Sequence, residues 1–224
     1  ETAFGSGPTV SYQFTDTGLA ARRLEFLAQV FAPTSRSLLR TAAPALPELA
    51  LDLGCGPGDI CLRLARTFPE CGVDGLDGSA AMIDLARRAL VGSGLENRVR
   101  FIQGLVPGAR LPESLYQAVT SNSLLHHLHR PETLWKSVHE LGEPGAPVLI
   151  MDLARPPDVD AAAIIVATYA ADDPEVLRTD FHNSLLAAFE PDEVRAQLAA
   201  AGLDFQVATV SDRHLAAWGR LPAA

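Results

Sequence analysis

The segment from Leu49 to Asp59 constrains the fold of this chain more than any other. Leu49-Ala-Leu-Asp-Leu53 is an apolar run of strand length, Gly54-Cys-Gly-Pro-Gly58 follows at once, and apolar residues at helical spacing then continue from Ile60 to Phe68. Glycine tolerates backbone angles closed to other residues and lets a main chain approach a ligand closely. A buried strand that runs through such a loop into a helix is the opening unit of a parallel sheet.

The same alternation recurs down the chain. Strands are expected at Gly72 to Asp77, Val99 to Gln103, Ala118 to Ser121 and Val148 to Asp152, with helices at Ala80 to Val91 and Pro131 to Leu141. Strands separated by helices pair in parallel with right-handed crossovers. The fold class is therefore α/β, a Rossmann-like doubly wound sheet. After Pro156-Pro157 the pattern becomes helical from Asp158 to Phe189, turning at Asp172-Asp173-Pro174, and this segment is expected to form a mostly helical lid. A helix from Asp192 to Ala201 stops at Gly202, and strands at Phe205 to Val210 and His214 to Trp218 form an antiparallel hairpin, bringing the sheet to seven strands. Ahead of the sheet, Leu19, Leu24, Leu27, Val30, Phe31 and Leu38 suggest two short helices broken at Pro33.

One domain is expected, divided into an N-terminal helical cap (1–47), a cofactor-binding core (48–153), a helical insertion (154–190) and a last helix with the hairpin (191–224). No internal repeat or linker interrupts it. The first residues, Glu1 to Pro8, carry neither a basic nor an apolar leader, and no apolar stretch is long enough to cross a bilayer. Three cysteines with no Cys-x-x-Cys pair argue against a disulfide framework and a zinc knuckle, so a reducing cytoplasm is expected. A net charge of −9 and a single lysine, Lys136, disfavour a nucleic-acid partner, whose phosphates must be met by basic side chains.

The site follows from two acids and a loop. Asp77, at the end of the second strand, stands where a carboxylate takes the ribose hydroxyls of an adenosine lying across the strand ends. A dinucleotide would place its pyrophosphate on the loop, but the third glycine of that fingerprint falls at Asp59, and Asp52 and Asp59 would repel the phosphates. S-adenosylmethionine carries an ammonium and a sulfonium instead, so acidic groups beside the loop favour it. No Gly-Lys-Ser/Thr follows, which removes a P-loop.

Through Leu51-Asp-Leu-Gly-Cys-Gly-Pro-Gly-Asp59 and Val73-Asp-Gly-Leu-Asp-Gly-Ser-Ala-Ala-Met82 the chain resembles the class I S-adenosylmethionine-dependent methyltransferases of the small-molecule type, from about Ala50 to Asp152. The resemblance implies a transferase whose product from the cofactor is S-adenosylhomocysteine. It implies that Gly54, Cys55 and Gly56 line the methionine part of the cofactor with Asp52 beside them, that Asp77 holds the ribose, and that Gly78 and Met82 border the adenine. Two positions depart from the pattern. Gly104-Leu105-Val106 stands where the family often has Gly-Asp-Ala, leaving backbone groups of Gly104 and Leu105 for the ring, and Gln117 replaces a common aspartate.

Ser121-Asn122-Ser-Leu-Leu-His126-His127-Leu resembles the family segment that passes beside the transferred methyl group, which implies Asn122 on the cofactor's ammonium. His127 and Asp152 both fall at strand C-termini and are expected to act as a general base and its orienter. No metal site is expected, since neighbouring histidines point in different directions. Tyr12, Phe14, Tyr169, Phe181, His182 and Asn183 are candidates for an acceptor pocket. The alternatives to small-molecule methyl transfer are a protein or RNA methyltransferase, a non-catalytic S-adenosylmethionine-binding module, and an NAD-dependent oxidoreductase.

Overall fold

The computed structural model describes residues 47–113 and 115–223. The N-terminal helices expected between Gly18 and Leu39, and with them Tyr12 and Phe14, lie outside the described residues.

The elements follow in the order β1 (Leu49–Leu53), α1 (Asp59–Thr67), β2 (Gly72–Asp77), α2 (Ala80–Leu90), β3 (Val99–Gln103), β4 (Ala118–Asn122), a 3-10 turn (Leu125–His127), α3 (Glu132–Leu141), β5 (Pro147–Leu153), α4 (Val159–Tyr169), α5 (Glu175–Ala187), α6 (Pro191–Ala200), β6 (Gln206–Ser211) and β7 (His214–Arg220). They form one seven-stranded sheet in the order β3-β2-β1-β4-β5-β7-β6. The first five strands are parallel, and β7 runs antiparallel between β5 and β6. Strand order reverses between β1 and β4, and a crevice opens there at the carboxyl ends of the strands.

Both faces of the sheet are covered, which explains why its central strands are apolar runs rather than alternating ones. In β1, Ala50 belongs to a core shared with Leu62, Ala65 and Phe68 of the α1 region and with Ile83 and Ala86 of α2. Leu51 and Leu53 face the other way, into a core with Trp135 and Val138 of α3 and Val194 and Leu198 of α6. A third cluster joins Leu153 to Ile165 and Val166 of α4 and Phe181 and Leu185 of α5. The expected lid is thus a helical pair seated on the end of β5.

Local chemistry sets the helix boundaries. Ser79 accepts the Met82 N–H at 3.3 Å to open α2, Asp158 accepts the Ala161 N–H at 2.7 Å to open α4, and Glu193 takes the Glu190 N–H at 2.8 Å ahead of Pro191 on α6. Gln117, which replaces the common aspartate, acts as a strand tie. Its side-chain carbonyl accepts the Glu48 N–H at 2.6 Å and holds the start of β4 to β1.

Candidate active site

The crevice holds a pocket of about 220 Å³ walled by the glycine loop, the start of α1, Asp77, Ser79 and Met82, and the segment Asn122–Leu124 with His127. The loop is fastened to β2 by its backbone. Gly54 and Cys55 both donate to the Leu76 carbonyl, at 2.8 and 3.0 Å. Gly54, Gly56 and Gly58 all have positive φ, of 71, 51 and 89°, so the turn depends on residues without a Cβ.

Asp77 joins the two halves of the pocket. One carboxylate oxygen accepts the Gly56 N–H and the other the Ser79 N–H, both at 2.8 Å, so a single side chain fixes the glycine loop and the entry to α2. Asp59 also lines the pocket, and Arg63 one helical turn on neutralises it at 2.5 Å. No lysine or arginine side chain lies in the wall among the described residues. Such a lining suits a cationic ligand and opposes a pyrophosphate.

Asp52 is not in the wall. Period-two alternation in β1 turns it toward α1 behind the loop, where it is 1% exposed and accepts hydrogen bonds from the Thr120 hydroxyl at 2.9 Å and the Cys61 thiol at 3.4 Å. Burial raises its carboxyl to about 7, outweighing those two hydrogen bonds. Asp52 therefore supports the loop from beneath, which corrects its expected place beside the cofactor. Gly78, Gly104 and Leu105 stand outside the pocket proper, with Leu105 packed over Gly78 so closely that a Cβ there would come within 2.5 Å of it.

The segment after β4 changes the expected base and orienter. Asp152 does not meet His127. Its Oδ1 lies 2.5 Å from Nδ1 of His126, and its Oδ2 accepts the Leu125 N–H at 2.6 Å, capping the 3-10 turn. A 3-10 turn has three residues per turn, so adjacent side chains point about 120° apart. His126 turns inward to Asp152 and His127 turns out to the pocket, the two rings being 3.9 Å apart at a tilt of 40°. Burial opposes ionisation of Asp152, but the charge and hydrogen bond of His126 outweigh it and hold the carboxyl below its usual range. Burial, aided by His126, pushes His127 down to about 3, against the smaller pull of Asp152, so its imidazole is neutral at physiological pH.

Ser123 and Leu124 complete that wall, and the sequence pattern marks neither. Ser123 has φ 58°, a left-handed conformation rare outside glycine, and its N–H is held by the Met151 carbonyl at 2.9 Å. Nothing in the string Asn-Ser-Leu-Leu announces that turn. Ser79 is legible in principle, as a serine immediately before a helical run. The expected acceptor residues of the helical pair lie elsewhere: Phe181 is in its core, the Tyr169 hydroxyl donates to Asp212 at 2.6 Å beneath the Arg213 guanidinium, and His182 and Asn183 do not reach the pocket.

Comparison with known proteins agrees with this geometry. The model of the methyltransferase domain family matches residues 50–145. That stretch is similar to a methyltransferase domain. The ubiquinone biosynthesis O-methyltransferase of Stutzerimonas stutzeri is 33% identical over 119 residues, 53% of this chain and 50% of that protein. The trans-aconitate 2-methyltransferase of Methylobacterium radiotolerans is 34% identical over 128 residues, 55% of this chain and 46% of that protein. The chain thus spans about half the length of the curated relatives it matches. Likeness in fold extends further than likeness in sequence. A SAM dependent methyltransferase from Aquifex aeolicus superposes with a TM-score of 0.69 at 16% identity, covering 90% of this chain and 96% of that one. The plantazolicin methyltransferase BpumL in complex with SAH gives 0.71 at 15% identity, covering 90% and 86%. Likeness in fold therefore extends over the helical pair and the hairpin, beyond the stretch matched by the family model.

Proposed function

We propose that the protein transfers the methyl group of S-adenosylmethionine to an oxygen, nitrogen, sulfur or carbon atom of a small molecule. The observation that carries this reading is the position of Asp77. Its carboxylate joins the glycine loop to α2 beside the point where strand order reverses, in a pocket whose wall has acids but no lysine or arginine among the described residues. Relatives named for ubiquinone biosynthesis and trans-aconitate methylation support the small-molecule class.

The residues present fit the cofactor. The glycine loop leaves backbone room for an amino-acid chain, Asp77 has acceptor capacity for ribose hydroxyls, Met82 and Ser79 border the nucleobase end, and Asn122 stands on the opposite wall with a polar group for the ammonium. Bound there, S-adenosylmethionine supplies an electrophilic methyl group at a cationic sulfur and becomes S-adenosylhomocysteine. The protein must align the acceptor with that methyl group and take up the acceptor's proton. His127 is the pocket group suited to proton uptake: its neutral ring has a lone pair, and the negative charge of Asp152 behind His126 favours the imidazolium once formed. A ring with a pKa of about 3 is too weak a base to ionise an ordinary hydroxyl beforehand. Proton removal therefore accompanies bond formation, when the attacking oxygen becomes strongly acidic.

We assign a reducing, cytoplasmic setting to a chain whose three cysteines are all free and buried. No nucleic-acid partner is part of this reading. The decisive experiment is calorimetric titration of the purified protein with S-adenosylmethionine, S-adenosylhomocysteine and NAD in parallel. Micromolar binding of the first two without the third is the expected result. Binding of NAD alone would replace the proposal with a dinucleotide enzyme.

A further inference from the structure

Cys55 and Cys61 bring their sulfurs together beneath the glycine loop. A Cβ added at Gly75 of β2 would lie 2.8 Å from the Cys61 sulfur and 2.9 Å from the Cys55 sulfur, so glycine at that position leaves the room that both thiols occupy. The two thiols are hydrogen-bonding partners, and the Cys61 thiol also donates to Oδ2 of Asp52 at 3.4 Å. Cys61 sits in the first turn of α1 and is fully buried, whereas Cys55 belongs to the loop, is 5% exposed and lines the pocket. One sulfur is thus reached from the pocket, and the other lies behind it against a carboxylate. The proposed methyl transfer uses neither thiol.

We infer that Cys55 and Cys61 are a dithiol modification site, which a hydroperoxide entering the pocket converts to a disulfide, and that the disulfide lowers affinity for the cofactor. The Cys55 sulfur attacks one peroxide oxygen, the O–O bond breaks, and the thiol proton leaves with the departing oxygen as water or an alcohol. Cys55 is then a sulfenic acid, which condenses with a neighbouring thiol. The Cys61 sulfur attacks the Cys55 sulfur, the S–O bond breaks, and the hydroxyl leaves as water with the Cys61 proton, which Asp52 is placed to relay. The peroxide is reduced by the electron pair that the two thiols lose. The hydrogen bond with Cys61 lowers the Cys55 thiol, but burial and the charges of Asp52 and Asp77 outweigh it and hold the thiol above its usual value, so the first step quickens as pH rises. Closing the bond brings the sulfurs to about 2 Å and draws Cys55 out of the wall toward α1. The same loop is fixed to β2 through the Cys55 N–H and to Asp77 through the Gly56 N–H, so the pull bears on both. In a reducing setting such a disulfide is transient. The disulfide stands on this geometry alone, and only its effect on the cofactor rests on the methyl-transfer reading.

The test treats the full chain with hydrogen peroxide, alkylates it under denaturing conditions and maps its tryptic peptides by mass spectrometry. No lysine or arginine lies between Arg40 and Arg63, so Cys55 and Cys61 share one peptide and Cys71 falls on another. The expected result is an unalkylated first peptide lighter by two hydrogens, with Cys71 alkylated. Calorimetry on the oxidised protein is expected to show affinity for S-adenosylhomocysteine weakened by about tenfold or more, and recovered with dithiothreitol. Cys71→Ser is expected to form the disulfide as the parent does, and Cys61→Ser to form none. Alkylation of both Cys55 and Cys61 after peroxide, or Cys55 carried to the sulfinic acid with Cys61 still free, overturns the site. A disulfide that leaves affinity within about twofold overturns its effect on the cofactor. Failure of the reduced parent to bind S-adenosylhomocysteine overturns the methyl-transfer reading, while the peptide map still decides the dithiol site.

Discussion

His126 and Asp152 form a buried pair, 2.5 Å apart with side chains only 4% and 1% exposed, directly behind the wall that His127 presents to the pocket. Because Asp152 also caps the 3-10 turn through the Leu125 N–H, one carboxylate fixes both the inward ring and the backbone that carries the outward one.

Removing that carboxylate leaves His126 buried without its partner and the turn without its cap. Asp152→Ala is expected to cost about 3–5 kcal/mol, the usual penalty for breaking a buried pair from one side. Urea unfolding followed by circular dichroism measures it. A cost below 1 kcal/mol would mean that the pair carries no structural weight.

Three displaced groups contribute to the change of stability with pH just below neutrality. Asp52 is raised to about 7, so its favourable contribution is complete below its unfolded value near 3.8 and is lost as pH rises through 7. His127 and His214 are lowered to about 3 and about 4, so theirs is complete above the unfolded value of 6.5 and is lost as pH falls. Around pH 5, well between the folded and unfolded values of all three groups, the unfolded chain thus binds two protons at the histidines, and the folded chain one, at Asp52. These groups make stability rise by about 1.4 kcal/mol per pH unit, and Asp52→Asn is expected to steepen their slope to about 2.7. Unfolding midpoints in urea at pH 4.5 and 5.5 give both slopes; equal slopes would show that Asp52 titrates normally.

Asp77→Ala removes the acceptor for the Gly56 and Ser79 N–H groups. With the loop released and no carboxylate facing the ribose hydroxyls, affinity for S-adenosylhomocysteine is expected to fall about a hundredfold, near 3 kcal/mol. Calorimetry decides: an affinity within twofold of the parent would remove Asp77 from the binding site.

Gly58 combines φ +89° with a Cβ position only 2.5 Å from the Phe101 ring. Gly58→Ala must bear left-handed strain and overpacking together, and is expected to cost about 3 kcal/mol. Gly94, with φ +75° and nothing within 4 Å, isolates the first effect, and its alanine variant is expected to lose about 1 kcal/mol. Thermal unfolding of the two variants separates the two effects, and equal losses would mean that Phe101 yields without cost.

His127→Ala is expected to lower methyl transfer to a hydroxyl acceptor by about a hundredfold while leaving S-adenosylhomocysteine affinity within threefold. Single-turnover assays over a panel of phenolic acceptors measure the first effect, calorimetry the second. Unchanged turnover would place catalysis on alignment alone.

Strand and helix positions are legible in the sequence to within a residue or two, because glycine loops and apolar runs are local signals. The depth of side chains is less so. In a sheet covered on both faces the contrast between inward and outward positions disappears, so Asp52 reads as a strand-end acid beside the cofactor although alternation with Leu51 and Leu53 turns it into the layer beneath. The left-handed turn at Ser123 carries no glycine to mark it.

The sequence by itself determined the doubly wound core, the glycine loop and the acid at the end of β2, since each is written in residues adjacent along the chain. Only the tertiary structure decided which of two neighbouring histidines meets Asp152. That choice depends on the phase of a one-turn helix relative to a strand that begins some twenty residues later, and the chain sets that phase only when β5 pairs beside β4 and its carboxylate captures the Leu125 N–H.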